Sequence, residues 1–172
     1  GGLHGADRVG GLASGSCFVF GKKAAQSAAK HSAQSSYTDE KQALSEFKDM
    51  LFENSSGSLE PSEVITQLKD IIDRSANIIR TEDGLKKGLE AVRGLNEAFS
   101  AGHSIEKGQS IPDCVSAHNA LKMSKLILTS MLERKESRGA HYREDFPKMD
   151  NENFSFRTTV RNAGGKTIIE HI

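Results

Sequence analysis

The residues best suited to chemistry stand at the start of the chain. Six glycines fall within the first fifteen residues, GGLHGADRVGGLASG, and a backbone without Cβ atoms can bring its N–H groups close to a ligand. The segment runs directly into a helical pattern from about Ala13, with Cys17, Phe18, Val19 and Phe20 followed by Ala24, Ala25, Ala28 and Ala29. A helix N-terminus carries about half a positive charge and free N–H donors. An electron-rich group is therefore favoured there: a phosphate, a carboxylate or a reduced flavin ring. Arg8 precedes that helix start, four residues after His4, and its planar fork suits a two-point grip on a carboxylate. The glycine spacing is neither GxGxxG nor a phosphate loop closed by GK[ST]. On composition alone, a tight strand-to-helix turn with an exposed Arg8 is the competing reading. His4 reads as a loop histidine bonded to backbone before it reads as a ligand or proton shuttle.

Elsewhere the chemistry is sparse. Cys17 and Cys114 form no CxxC and no zinc pattern, and two buried free thiols in a reducing compartment are expected. His31, His103, His118 and His171 show no spacing such as HExxH, so no metal site is expected. Asp39, Glu40, Glu46 and Asp49 fall on helical solvent faces. With 23 Lys+Arg against 23 Asp+Glu in 172 residues the net charge is zero, which argues against a nucleic-acid binder working by bulk electrostatics. No apolar run approaches the roughly 20 residues that span a bilayer. The opening lacks the pattern of a signal peptide and begins without Met. A piece of a longer, cytoplasmic protein is expected.

The elements that must position the opening segment follow from periodicity. The apolar pattern from Ala13 is that of a buried helix, and the polar run HSAQSSYTDE marks a boundary after it. Leu44, Phe47, Met50 and Leu51 recur at helical spacing between Thr38 and about Asn54. Pro61 opens a helix to Arg80 with Val64, Leu68, Ile71, Ile72, Ser75 and Ile79 along one stripe. Thr81 can cap the next helix, with Glu82 and Asp83 in its positive first turn and Leu85, Leu89, Val92, Leu95 (or Asn96) and Phe99 as its seam. Asp113 can cap the last long helix, which runs to about Glu136 with Ala117, Leu121, Ser124, Leu128 and Met131 inward. FSFRTTVRN and KTIIEHI flank NAGG as a terminal hairpin. The expected fold is mainly α: an antiparallel bundle of three to four long helices. It divides into residues 1–33 (Gly-rich loop plus helix), 38–137 (bundle) and 138–172. The segment ESRGAHYREDFP, with Arg134 just before it, mixes Arg138, His141, Arg143, Glu136, Glu144 and Asp145 with Tyr142 and Phe146. That composition suits a surface docked on another domain, or a solvated helix end.

Two of these segments carry a resemblance. GGLHGADRVGG, followed by an apolar stretch ending VFGKKAA, resembles the end of the flavin-binding domain of the succinate dehydrogenase/fumarate reductase flavoprotein family. That family includes L-aspartate oxidase, with adenylylsulfate reductase as a distant relative. RKESRGAHYREDFPKMDNENF resembles its signature near the C-terminus, and RTEDGLKKGLEAVRGL its central bundle helix. The resemblance covers nearly the whole chain. It implies an FAD-dependent oxidoreductase interconverting succinate and fumarate, with L-aspartate oxidase as the alternative. A helical docking module without a site is the alternative outside enzymes.

Residue by residue, the resemblance implies that Arg8 grips a carboxylate of the dicarboxylate and that Gly11 lies beside the substrate. It implies that Ala13 and Ser14 meet the pyrimidine end of the flavin through their backbone. Asp7, Leu12 and Ala13 depart from the family's HGANRLGGNSL, which removes side-chain but not backbone hydrogen bonds. The implied partners are upstream FAD-binding and capping domains and an iron–sulfur subunit, with membrane attachment only through partner subunits. Without the upstream GxGxxG unit, this chain alone is expected to hold no FAD tightly and to catalyse nothing. Phe18, Val19 and Phe20 are expected to face solvent or a second copy when that domain is missing, giving a homodimer or aggregate.

Overall fold

The structure is a computed structural model that describes residues 12–34, 40–52, 57–104, 111–163 and 166–171. It contains five helices and four short strands: α1 (Leu12–Gln34), α2 (Glu40–Phe52), α3 (Pro61–Ser75), β1 (Ile79–Arg80), α4 (Glu82–Ala101), α5 (Ile111–Glu133), β2 (Tyr142–Arg143), β3 (Thr158–Ala163) and β4 (Lys166–His171). The chain divides into two compact units, Gly1–Asp49 and Met50–Ile172. Among the described residues, no helix is long and apolar enough to cross a membrane.

The second unit is a bundle of α3, α4 and α5, each packed on the other two. Pro61 stands at the start of α3, where its missing N–H costs nothing, with Glu63 in the first turn and Arg74 in the last. At α4, the Thr81 hydroxyl accepts a hydrogen bond from the Gly84 N–H at 3.1 Å, as its cap position predicts. Buried positions recur as Leu85, Gly88, Val92, Leu95 and Phe99 on α4 and as Cys114, Ala117, Leu121, Ser124 and Leu128 on α5. Alternating steps of three and four residues keep one face of each helix on the common core. Leu51 from the end of α2, with Val64 and Leu68, completes that core. α3 and α4 come close where Gly88 meets Ser75, since a Cβ at Gly88 would overlap the Ser75 side chain.

Several local expectations are corrected. α3 ends at Ser75 rather than Arg80. The Asn77 side chain takes the Ile78 N–H at 2.8 Å, offering the backbone an alternative to another helical turn. Ile79 then enters a parallel pair with Tyr142 and stands 62% exposed instead of joining the stripe. α1 runs through His31 and Gln34, so the polar boundary is shorter than its composition predicts. Asp113 lies inside the first turn of α5 rather than at its cap, because the helix starts at Ile111. Leu44 and Phe47 are exposed, whereas Leu51 reaches the core. α1 is likewise not a buried helix here: Phe18 is 83% exposed, and Val19 and Phe20 are exposed too. Of the two free thiols only Cys114 is buried, because Cys17 shares the exposure of α1. The terminal hairpin forms as expected. β3 and β4 pair antiparallel from Thr158↔His171 to Ala163↔Lys166, and β3 lies against α5.

Candidate functional site

The opening segment reaches the described residues only at its end. Arg8 and Gly11 lie outside them. Ala13 and Ser14 stand side by side in the first turn of α1, which begins at Leu12, and Ser14 is exposed. No acidic residue occupies that turn. Its backbone N–H donors and the positive end of the helix dipole are therefore not offset by a carboxylate of the same helix. Among the described residues, nothing lies within 4 Å of where a Cβ at Gly15 would stand. The chemistry available is that of a helix start whose free N–H donors favour an anion.

The C-terminal signature turns part of its charge inward. Glu136 and Arg143 are both fully buried. Arg143 forms a two-point ion pair with Asp145, with Nε to Oδ1 at 2.8 Å and Nη2 to Oδ2 at 2.7 Å. The third guanidinium nitrogen donates to the carbonyls of Met131 at 2.9 Å and Leu132 at 3.3 Å, where the last turn of α5 leaves acceptors unsatisfied. Asp145 in turn accepts the Glu82 N–H at 2.8 Å, at the first turn of α4. One ion pair thus places a cation on the negative end of α5 and an anion on the positive end of α4. The Arg143 hydrogen bonds, and then the Glu82 N–H, hold the Asp145 carboxyl down at about 2, against the opposing effect of burial.

Glu136 organises the other half of the signature. It pairs with Arg134 and with Arg138, and accepts the Asp150 N–H at 2.8 Å. Burial raises its pKa, but the hydrogen bonds from Arg138, the Asp150 backbone and Arg134 outweigh that and leave it below the ordinary carboxylate value. Arg134 also donates to the carbonyls of Phe154 and Phe156 at 3.1 and 2.6 Å, tying the approach to the hairpin onto the end of α5. Between these charges the chain turns at Gly139, whose φ of 56° lies in the left-handed region. Arg138 and His141 exchange backbone hydrogen bonds of 2.8 and 3.0 Å across the turn. The His141 pKa is lowered by burial, despite a hydrogen bond to the Arg134 carbonyl, with Arg80, Arg143 and Arg134 adding to the depression.

A third cluster brings together residues that sequence spacing leaves apart. His103, Cys114 and His118 place one potential ligand atom each within 4.8 Å of one another. His103 and Cys114 are buried, with 1% and 0% exposure. The segment from Gly57 to Leu59 holds His103 in place: the Gly57 N–H donates to the His103 carbonyl at 3.1 Å, and the Ser104 N–H to the Leu59 carbonyl at 3.0 Å. The available sequence signal is the Cys114-x3-His118 spacing, which puts thiol and imidazole on one helix face. His103 comes from beyond the end of α4, a juxtaposition that only the tertiary fold supplies. Burial, then His103 and Lys122, lowers the His118 pKa, and burial raises that of Cys114.

Comparison with known proteins gives these features a family. A family model described as fumarate reductase flavoprotein C-term matches residues 65–171. The fumarate reductase (CoM/CoB) of Methanothermobacter marburgensis has a chain that is 33% identical over 155 residues, which are 86% of this chain and 28% of that protein. An uncharacterized FAD-dependent oxidoreductase of Methanocaldococcus jannaschii is 36% identical over 154 residues, 88% of this chain and 28% of its own. Among solved structures, a quinol fumarate reductase chain of E. coli matches with a TM-score of 0.82 at 28% identity, covering 99% of this chain and 31% of that one. The chain thus spans less than a third of the length of these relatives. With more than half of its residues matched by the family model, the chain belongs to the C-terminal family of fumarate reductase and succinate dehydrogenase flavoproteins.

Proposed function

We propose that the chain is the C-terminal part of an FAD-dependent flavoprotein that interconverts succinate and fumarate. What carries this reading is the combination of the family match over residues 65–171 with a helix that starts at Leu12, directly after the Gly-rich segment bearing Arg8. The start of α1 suits a flavin: a helix end without a first-turn acid and, among the described residues, nothing against Gly15. FAD, when bound, supplies the chemistry of hydride exchange with the dicarboxylate. In this reading Arg8 grips one carboxylate and opposes its charge. Gly11 lets the substrate lie against the backbone, and the Ala13 and Ser14 N–H groups face the flavin's pyrimidine end. The bundle, latched by Arg143–Asp145, is the helical domain of that flavoprotein.

The same reading assigns the FAD-binding and capping domains to chain upstream, the role of electron partner to an iron–sulfur subunit, and membrane association to partner subunits. The 172 residues alone then retain no FAD and catalyse nothing. The test is to purify the full-length protein and measure bound flavin and turnover of fumarate with a reduced dye. Flavin-loaded protein that reduces fumarate is expected. Flavin-loaded protein that oxidises L-aspartate with oxygen and ignores fumarate would establish the oxidase instead. A yellow preparation of the 172-residue chain alone would overturn the assignment of the FAD site to upstream residues.

A further inference from the structure

We propose that His103, Cys114 and His118 form a binding site for a borderline-soft divalent cation of the zinc class, inside the helical bundle. One thiolate and two imidazoles are a donor set such a cation prefers. Their ligand atoms already lie within 4.8 Å of one another, whereas donors around a tetrahedral zinc ion stand roughly 3.3–3.6 Å apart. Rotations of the side chains, with His103 giving up one of its two carbonyl contacts, would close that difference.

A further observation points to a ligand. The His118 Nε2 atom is buried and has no hydrogen-bond partner among the described residues, a state that is costly in a folded protein. The two ring nitrogens of His103 each face a backbone carbonyl, Phe99 at 3.1 Å and Leu51 at 3.0 Å. A neutral ring has a single N–H, so it satisfies one carbonyl and leaves the other nitrogen's lone pair without a donor. Ligation would use that second nitrogen, which must turn from its carbonyl to the cation, while the other keeps its N–H on a backbone carbonyl that fixes the ring. The Phe99 ring packs 4.7 Å from that of His103 and 4.9 Å from that of His118, giving the pair an apolar wall.

On binding, the Cys114 thiol releases its proton to solvent and its sulfur bonds to the cation. The two imidazoles bind as neutral rings, and water fills the fourth position. The bound ion would join the segment beyond α4 to the first turns of α5, and it makes no use of the opening segment or of a flavin.

Cobalt(II), the spectroscopic probe for zinc, tests this on the full chain at pH 7. The expected result is one equivalent bound, with a near-ultraviolet thiolate-to-cobalt absorption that zinc removes by displacement. Cys17→Ser keeps that band. Cys114→Ser abolishes it, and His118→Gln weakens binding at least tenfold, with circular dichroism confirming that each variant is folded. Absence of the thiolate band in the unaltered chain overturns the proposal. So does its persistence in Cys114→Ser, its loss in Cys17→Ser, or unchanged affinity in His118→Gln. Should Cys114→Ser not fold, His118→Gln decides alone, because its ring is only partly buried.

Discussion

Arg143 and Asp145 show how a charged sequence motif can be an internal fastener. Arg143 is fully buried, and every hydrogen bond it makes through its guanidinium goes either to Asp145 or to carbonyls at the end of α5. Removing the Asp145 charge leaves the buried Arg143 guanidinium uncompensated; because Asp145 itself is 28% exposed, the cost falls below the ~3–5 kcal/mol of a fully buried pair. Asp145→Asn keeps the shape but loses the charge, and should lower the denaturant midpoint with little change in slope. The pH dependence has a definite sign. A carboxyl whose folded pKa is about 2, against an unfolded value of 3.8, stabilises the fold fully above pH 4 or so. That contribution fades as pH falls through about 2, and is worth at most about 2 kcal/mol. Acid titration of stability should therefore show a limb below pH 4 that is shallower in Asp145→Asn. An unchanged limb would assign the acid sensitivity to other carboxylates, Glu136 first among them.

At the scale of elements, the helices that pack by local rules were legible from the sequence. Thr81 followed by Glu82 and Asp83 marks the start of α4, and the inward positions of α4 and α5 follow from steps of three and four. The hairpin follows from β-branched runs around Asn162, Gly164 and Gly165. What the sequence hid are the features set by distant partners. α3 ends early because Asn77 competes for a backbone N–H and because β1 finds β2 more than sixty residues away. Glu136 and Arg143 read as surface charges until the fold supplies α5 carbonyls and the Asp150 N–H as partners. The His103, Cys114 and His118 cluster was hidden for the same reason. Gly88 offers a test of the α3–α4 crossing. Gly88→Ala adds a methyl where Ser75 already stands. It should destabilise the bundle by about 1–3 kcal/mol despite the better helix propensity of Ala. Thermal denaturation of Gly88→Ala beside Gly94→Ala, where nothing lies within 4 Å, separates the packing effect from propensity: the second variant should be neutral or more stable.

For the whole molecule, the exposure of α1 is the feature that calls for covering surface. Phe18, Val19 and Phe20 stand exposed at 83%, 55% and 45%, and contiguous apolar side chains in water favour association. In the proposed full-length flavoprotein the upstream flavin-binding domain covers this helix. The 172-residue chain alone should therefore self-associate, with a sedimentation coefficient that rises with concentration, and Phe18→Ser should reduce that rise. A monomer at all concentrations would mean that α1 needs no cover. The central claim concerns the segment just before this helix, and the most direct measurement is dicarboxylate affinity in Arg8→Ala of the full-length flavoprotein, alongside its FAD content. The account predicts that binding of succinate or fumarate falls by 100-fold or so, about 2.7 kcal/mol, while FAD occupancy stays near that of the unaltered protein. Unchanged dicarboxylate affinity, or equal loss of FAD and substrate, would contradict it and reduce Arg8 to a structural residue.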